Sequence, residues 1–168
     1  MKKITLLALT LLGCYSFSQS TRLVINNYSV YNLEGRLIAG SPTTSNAGLI
    51  AAPNAPYGSY TVPALMTDIQ YNSFDTSGIS LLPIDNWYLA SGSYPYNHPN
   101  VTALVPVAEW ATFYFQTKDS AGNNFDDFRI GNPAISGAIG FTSFSSQTGT
   151  YSDAEWFDIG GYTYLQVY

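Results

Sequence analysis

The 168-residue chain carries six Lys/Arg against eleven Asp/Glu, a net charge of −5, and a single cysteine. No basic cluster is present to neutralise phosphates, which excludes nucleic acid as a partner and simple electrostatic capture by anionic lipid. Aromatic residues make up 15% of the chain and charged residues only 10%, a composition unlike disorder and typical of exported β-proteins.

The chain opens with an export signal. Lys2 and Lys3 form a short basic region, residues 4–12 an apolar run, and Ser16 and Ser18 supply small residues before an expected cleavage ahead of Gln19. The apolar run is too short to remain as a transmembrane helix, and no later segment is long and apolar enough to be one. Residues 1–18 are therefore read as a signal peptide and 19–168 as one domain, secreted or periplasmic. Its four basic and eleven acidic residues leave a net charge of −7. Leu11-Leu12-Gly13-Cys14 also resembles the lipobox of bacterial lipoproteins, so a second reading has the protein lipid-anchored at the bacterial surface through Cys14. In neither reading is Cys14 a catalytic thiol. A domain without disulfides must be held by its core.

Short strands separated by Gly, Pro and Asn turns follow one another. Leu23-Val24-Ile25 is the first, ended by Asn26-Asn27. A short one is expected at residues 36–39, with Glu34-Gly35 as a turn before it. Further strands are expected near residues 49–52, 57–62, ended by Pro63, and 68–74, followed by a turn at residues 75–78. Residues 91–100, S-G-S-Y-P-Y-N-H-P-N, read as irregular. The clearest strand is residues 109–117, E-W-A-T-F-Y-F-Q-T. Strict alternation places Trp110, Thr112, Tyr114 and Gln116 on one face, and Ala111, Phe113, Phe115 and Thr117 on a core face. Residues 118–124 make a hairpin connection, residues 134–144 a buried strand, and residues 145–150 a loop. Residues 155–159 and 162–168 form the last pair across Gly160-Gly161, with Tyr162, Tyr164, Gln166 and Tyr168 on one face. No long amphipathic helix and no fixed-period repeat occurs. The fold expected is all-β: a single-domain antiparallel β-sandwich, jelly-roll or immunoglobulin-like, its topology undetermined.

Three groups of residues carry candidate chemistry. Trp87, Tyr94, Tyr96, Trp110, Tyr114 and Trp156 supply aromatic surface for a sugar's C–H faces, with Asn and Asp for its hydroxyls; packing of the same rings in the core is the plain alternative. The run D-S-A-G-N-N-F-D-D offers Asp119, Asn123, Asp126 and Asp127 as oxygen ligands for Ca²⁺, although its order does not match the twelve-residue calcium loop. Glu109 beside Trp110 has the setting of a glycosidase acid, with Asp127 and Glu155 among the carboxylates able to partner it. His98 stands alone, without a triad or zinc motif. The leading expectation is a non-enzymatic domain binding neutral carbohydrate, with no cofactor or with Ca²⁺. The alternatives are a module that pairs with another surface protein or forms a homo-oligomer, including a membrane-directed β-rich toxin, and a small glycoside hydrolase.

Overall fold

A computed structural model describes residues 22–43, 48–52, 59–74 and 80–168. The expected signal peptide, Cys14 and the expected turn at residues 75–78 lie outside the described residues. Twelve strands are present: β1 (Leu23–Asn27), β2 (Asn32–Gly40), β3 (Gly48–Ala51), β4 (Tyr60–Val62), β5 (Ile69–Tyr71), β6 (Asn86–Leu89), β7 (Gly92–Pro95), β8 (Glu109–Lys118), β9 (Asn124–Gly131), β10 (Ser146–Thr148), β11 (Asp153–Ile159) and β12 (Tyr162–Val167). Among the described residues two short helices, α1 (Pro99–Thr102) and α2 (Pro133–Ala138), interrupt them. A five-stranded sheet runs β10-β11-β12-β1-β5. A seven-stranded sheet runs β7-β6-β3-β2-β8-β9, with β4 pairing β2. All strand pairs are antiparallel except the first strand with the last, β1 with β12. The architecture is an all-β, two-sheet sandwich. No helix of the described residues is long and apolar enough to cross a membrane.

The core is aromatic because it has no covalent help. Tyr60, Phe74, Trp87, Trp110, Phe113 and Phe128 are all essentially fully buried. Trp110 lies 4.7 Å from Phe74, 5.4 Å from Tyr71 and 5.9 Å from Trp87, centroid to centroid; Phe115 stacks on Phe128 at 5.0 Å. Such rings bury large apolar areas and add edge and stacking contacts to them. Their polar tips are satisfied in turn. Tyr60 and Tyr71 share a 2.6 Å hydroxyl bond, and Tyr71 donates to the Leu82 carbonyl. Burial pushes the Tyr71 hydroxyl up to about 12 against the opposing pull of its bonds to Tyr60 and Ser80. Trp87 donates to the Phe74 carbonyl at 3.0 Å. The buried Trp156 indole N–H, by contrast, has no acceptor among the described residues. Trp87→Phe is therefore expected to cost about 2–3 kcal/mol, because it removes contacts and strands a carbonyl. Trp156→Phe should cost about 1 kcal/mol or less, since no hydrogen bond is lost. Urea midpoints of the two variants check this difference.

Four local expectations are corrected. Glu34-Gly35 is not a turn: β2 runs straight through it and pairs with β8, Gly35 opposite Phe115. Residues 133–138 are helix rather than strand, because Asn132 accepts from the Ala134 and Ile135 amides and Pro133 opens the first turn. Residues 91–100 contain β7 and α1, with His98 capping α1 through Nδ1 and packing 4.5 Å from Tyr94. Ser146–Thr148 is a strand, not a loop.

The last difference lies in β8. Its pairing with β2 shifts register between Ile38 and Ala39, so Ala111 has no partner and forms a bulge. The bulge turns Trp110 inward, to the side of Phe113 and Phe115. It turns Ala111 outward, where Ile38, Ile135 and Ile139 pack on it in a small second core under α2. That cover occupies one end of the outer face of the seven-stranded sheet. Part of the same face, over β2, β8 and β9, is open.

Candidate ligand-binding groove

The open part of that face is a groove of about 580 Å³ lined by Glu34, Gly35, Arg36, Ser59, Tyr114, Phe115, Gln116, Lys118, Asp127, Phe128 and Arg129. Its side chains come from three adjacent strands in register. Arg36 on β2 pairs with Tyr114 on β8, which pairs with Arg129 on β9. Two residues along, Glu34, Gln116 and Asp127 form a second row. Alternation sends both rows outward while Leu33, Phe113, Phe115 and Phe128 go to the core. Gly35 holds the strands at close quarters beneath: a Cβ there would stand 1.8 Å from the Tyr114 carbonyl oxygen and 2.6 Å from Phe115 Cα.

Tyr114 is fixed on every side. Its hydroxyl donates to the Thr142 carbonyl and accepts from the Thr142 amide at 2.8 Å. Phe141 meets its ring edge-on at 5.7 Å, and the Arg129 guanidinium lies over the ring, also at 5.7 Å. The hydroxyl is thus committed to the loop after α2, and the ring serves as a rigid platform. The outer edge of β9 is held as well. Gln147 uses its side-chain amide like a neighbouring strand, accepting from Arg129 N at 3.1 Å and donating to Asp127 O at 2.8 Å.

Charge is distributed unevenly. Among the described residues there are four Lys/Arg, and three of them (Arg36, Lys118 and Arg129) line this groove. Lys118 is paired with Glu34 at 2.9 Å. Asp127 accepts from Gln116 at 2.7 Å. Among the described residues neither Arg36 nor Arg129 has an ion pair, and the groove holds three cations against two acids on a chain that is otherwise acidic.

Of the six aromatic residues named from sequence, Tyr114 alone lies here. Trp87, Trp110 and Trp156 are 1%, 1% and 3% exposed and present no ring face to solvent. Tyr94 and Tyr96 are half-buried against the core beside α1. The carboxylates Asp127 and Glu155 project from opposite outer faces of the sandwich, so these two do not flank one bond. Glu109 has a different neighbour: burial, and then the charge of Asp158, raise its carboxyl above the usual range. The proposed calcium ligands also diverge. Asp119 closes its own turn, accepting from Ala121 N, Asn123 N and Asn123 Nδ2 at 2.8–2.9 Å. Bonds from the Asn123 side chain and backbone hold its carboxyl low. Asp126 points inward and Asp127 outward. Among the described residues no three of His, Cys, Asp and Glu form a cation site.

Arg36, Glu34, Lys118 and Arg129 were not singled out by sequence. Each is an ordinary outward residue of its strand, and only the pairing of β2, β8 and β9 makes them neighbours. The other outer face carries a flat aromatic stripe. Phe157 stacks on Tyr164 at 5.4 Å and Tyr28 on Tyr168 at 5.6 Å, with Arg22 over Tyr162. No family model, curated protein or solved structure matches the chain, and the chemistry of the groove is what bears on its function.

Proposed function

We propose that the protein is an exported binding domain that holds a saccharide in the groove of the seven-stranded sheet. The observation that carries this reading is the double row: Arg36–Tyr114–Arg129 above Glu34–Gln116–Asp127. A sugar needs one apolar platform for its C–H face and a few convergent donors and acceptors for its hydroxyls. Tyr114, half-buried, offers the ring surface left beside the Arg129 guanidinium, and the ring is immobilised before any ligand arrives, which lowers the ordering cost of binding. Arginine offers donors, Glu34 and Asp127 offer acceptors, and Gln116 offers both. Export is supported by the basic and apolar leader at residues 2–12.

A glycan array tests this. Binding to a defined set of glycans is expected, with signal lost in Tyr114→Ala and retained in Glu155→Gln on the opposite face. Chelation of calcium should leave both the array signal and the melting temperature unchanged, because the oxygen atoms of Asp119 and Asp126 are already committed to their own chain. Absence of binding across neutral and acidic glycans would refute the reading.

A further inference from the structure

We infer that the groove selects saccharides bearing a carboxylate, of the uronic-acid kind, with the carboxylate held across Tyr114 by Arg36 and Arg129. This rests on the saccharide reading above and narrows its ligand class. The sequence pointed to a neutral sugar; the register argues for a charged one.

The two arginines occupy adjacent-strand positions on either side of Tyr114, so their Cα atoms stand about 10 Å apart, twice the interstrand spacing. At that spacing two long side chains can converge on one small anion from either side of the Tyr114 position. Arg129 already leans over Tyr114 at 5.7 Å. A guanidinium presents a planar fork that matches a carboxylate with two parallel N–H donors. Neither arginine has an ion pair among the described residues, so neither must give up a carboxylate partner to engage a ligand.

The second row sets an upper limit on the charge accepted. Glu34 and Asp127 lie about 7 Å further along the strands, two residues of rise. They suit hydroxyl groups; Glu34 is balanced by Lys118, and Asp127 repels a second anion placed there. The chain's net charge of −5 adds a general penalty for dense polyanions. A saccharide with one carboxylate per ring, and hydroxyls between successive carboxylates, fits this alternation. A heavily sulfated one does not.

The test is calorimetric titration of the full chain with a panel of uronate oligosaccharides, their carboxyl-reduced counterparts and sulfated oligosaccharides of similar length. Arg36→Gln, Arg129→Gln and Glu155→Gln variants are run alongside. At least one uronate is expected to bind about tenfold or more tighter than its reduced form, the loss expected for a charge-assisted contact. Each arginine variant should weaken that binding by about fivefold or more, and by a larger factor than it weakens binding of the reduced form, while Glu155→Gln should match wild type. Both arginines lie on the exposed sheet face, so the variants should keep the wild-type melting temperature, which is measured in parallel. Equal binding of reduced and acidic forms would overturn the inference and leave the saccharide reading intact. Tighter binding of the sulfated series, or uronate binding indifferent to both arginines, would overturn the inference. Binding of none of these would overturn both.

Discussion

Asp126→Ala is expected to destabilise the protein by about 3–4 kcal/mol, a fall in melting temperature of about 10 °C for a domain of this size. Asp126 sits on the inward face of β9 and is 8% exposed. Its carboxylate crosses to the loop between β10 and β11. There it accepts from Thr150 N and Tyr151 N at 2.8 Å, Ser152 N at 3.0 Å and Ser152 Oγ at 3.1 Å. Gly149 makes this approach possible, since a Cβ there would stand 2.6 Å from the Asp126 carboxyl carbon. One side chain thus pins the seven-stranded sheet to the five-stranded one. Its removal leaves four donors without their acceptor, the two of Ser152 buried, and unsatisfied buried donors are costly.

The same carboxylate gives the domain an acid limb. Burial acts to raise its pKa, but the bonds from Thr150, Tyr151 and Ser152 outweigh burial and hold it below the usual carboxylate value. A carboxyl depressed in the folded state contributes stability that is fully present above its unfolded pKa of about 4 and is lost as pH falls through the lower folded value. Asp126→Asn should therefore lower the melting temperature at pH 7 and narrow its gap to wild type below about pH 4. Melting curves across this range check both statements. A variant as stable as wild type at pH 7 would show that the loop is held by something else.

Gly35→Ala is expected to cost about 3 kcal/mol or more and to abolish ligand binding with it, at the upper end of what overpacking does. The added Cβ meets the Tyr114 carbonyl at 1.8 Å and the Phe115 backbone. Neither can rotate away as a side-chain tip would, so β2 and β8 must part. The groove rows depend on that pairing. Gly48→Ala is the control: a Cβ there meets nothing within 4 Å, and the loss of chain entropy in the unfolded state should leave it neutral or stabilised by up to about 1 kcal/mol. Denaturant titration separates the two. Binding that survives in Gly35→Ala would place the ligand elsewhere.

Much of the sandwich was legible from residues alone. Phe113 and Phe115 are in the core as alternation predicts, and the last strand divides as expected, with Thr163, Leu165 and Val167 buried and Tyr162, Tyr164 and Tyr168 turned outward. Trp110 was assigned to the wrong face because alternation assumes an unbroken ladder. The bulge at Ala111 arises from the register of Ile38 and Ala39 on another strand, which local pattern does not carry. The helix at residues 133–138 had a readable start in Asn132-Pro133, but six residues rich in Gly, Ala and Ser are too few to show a helical period. The tryptophans suggested a sugar surface because they are large and amphipathic. With no disulfide among the described residues, the same rings are what the core uses. The groove was illegible for a different reason. Arg36, Tyr114 and Arg129 lie far apart in sequence and become one row only through two strand pairings. Tyr114 could be named as an outward aromatic; its neighbours could not.

The central claim is that ligand binds on the outer face of the seven-stranded sheet. Backbone amide shift mapping by NMR, with an oligosaccharide selected from the array, tests it most directly. Perturbations are expected at residues 34–36, 114–118 and 127–129, with little change at residues 153–168. Perturbations centred on the aromatic stripe of Phe157, Tyr164 and Tyr168 instead, with the Tyr114 region silent, would contradict it.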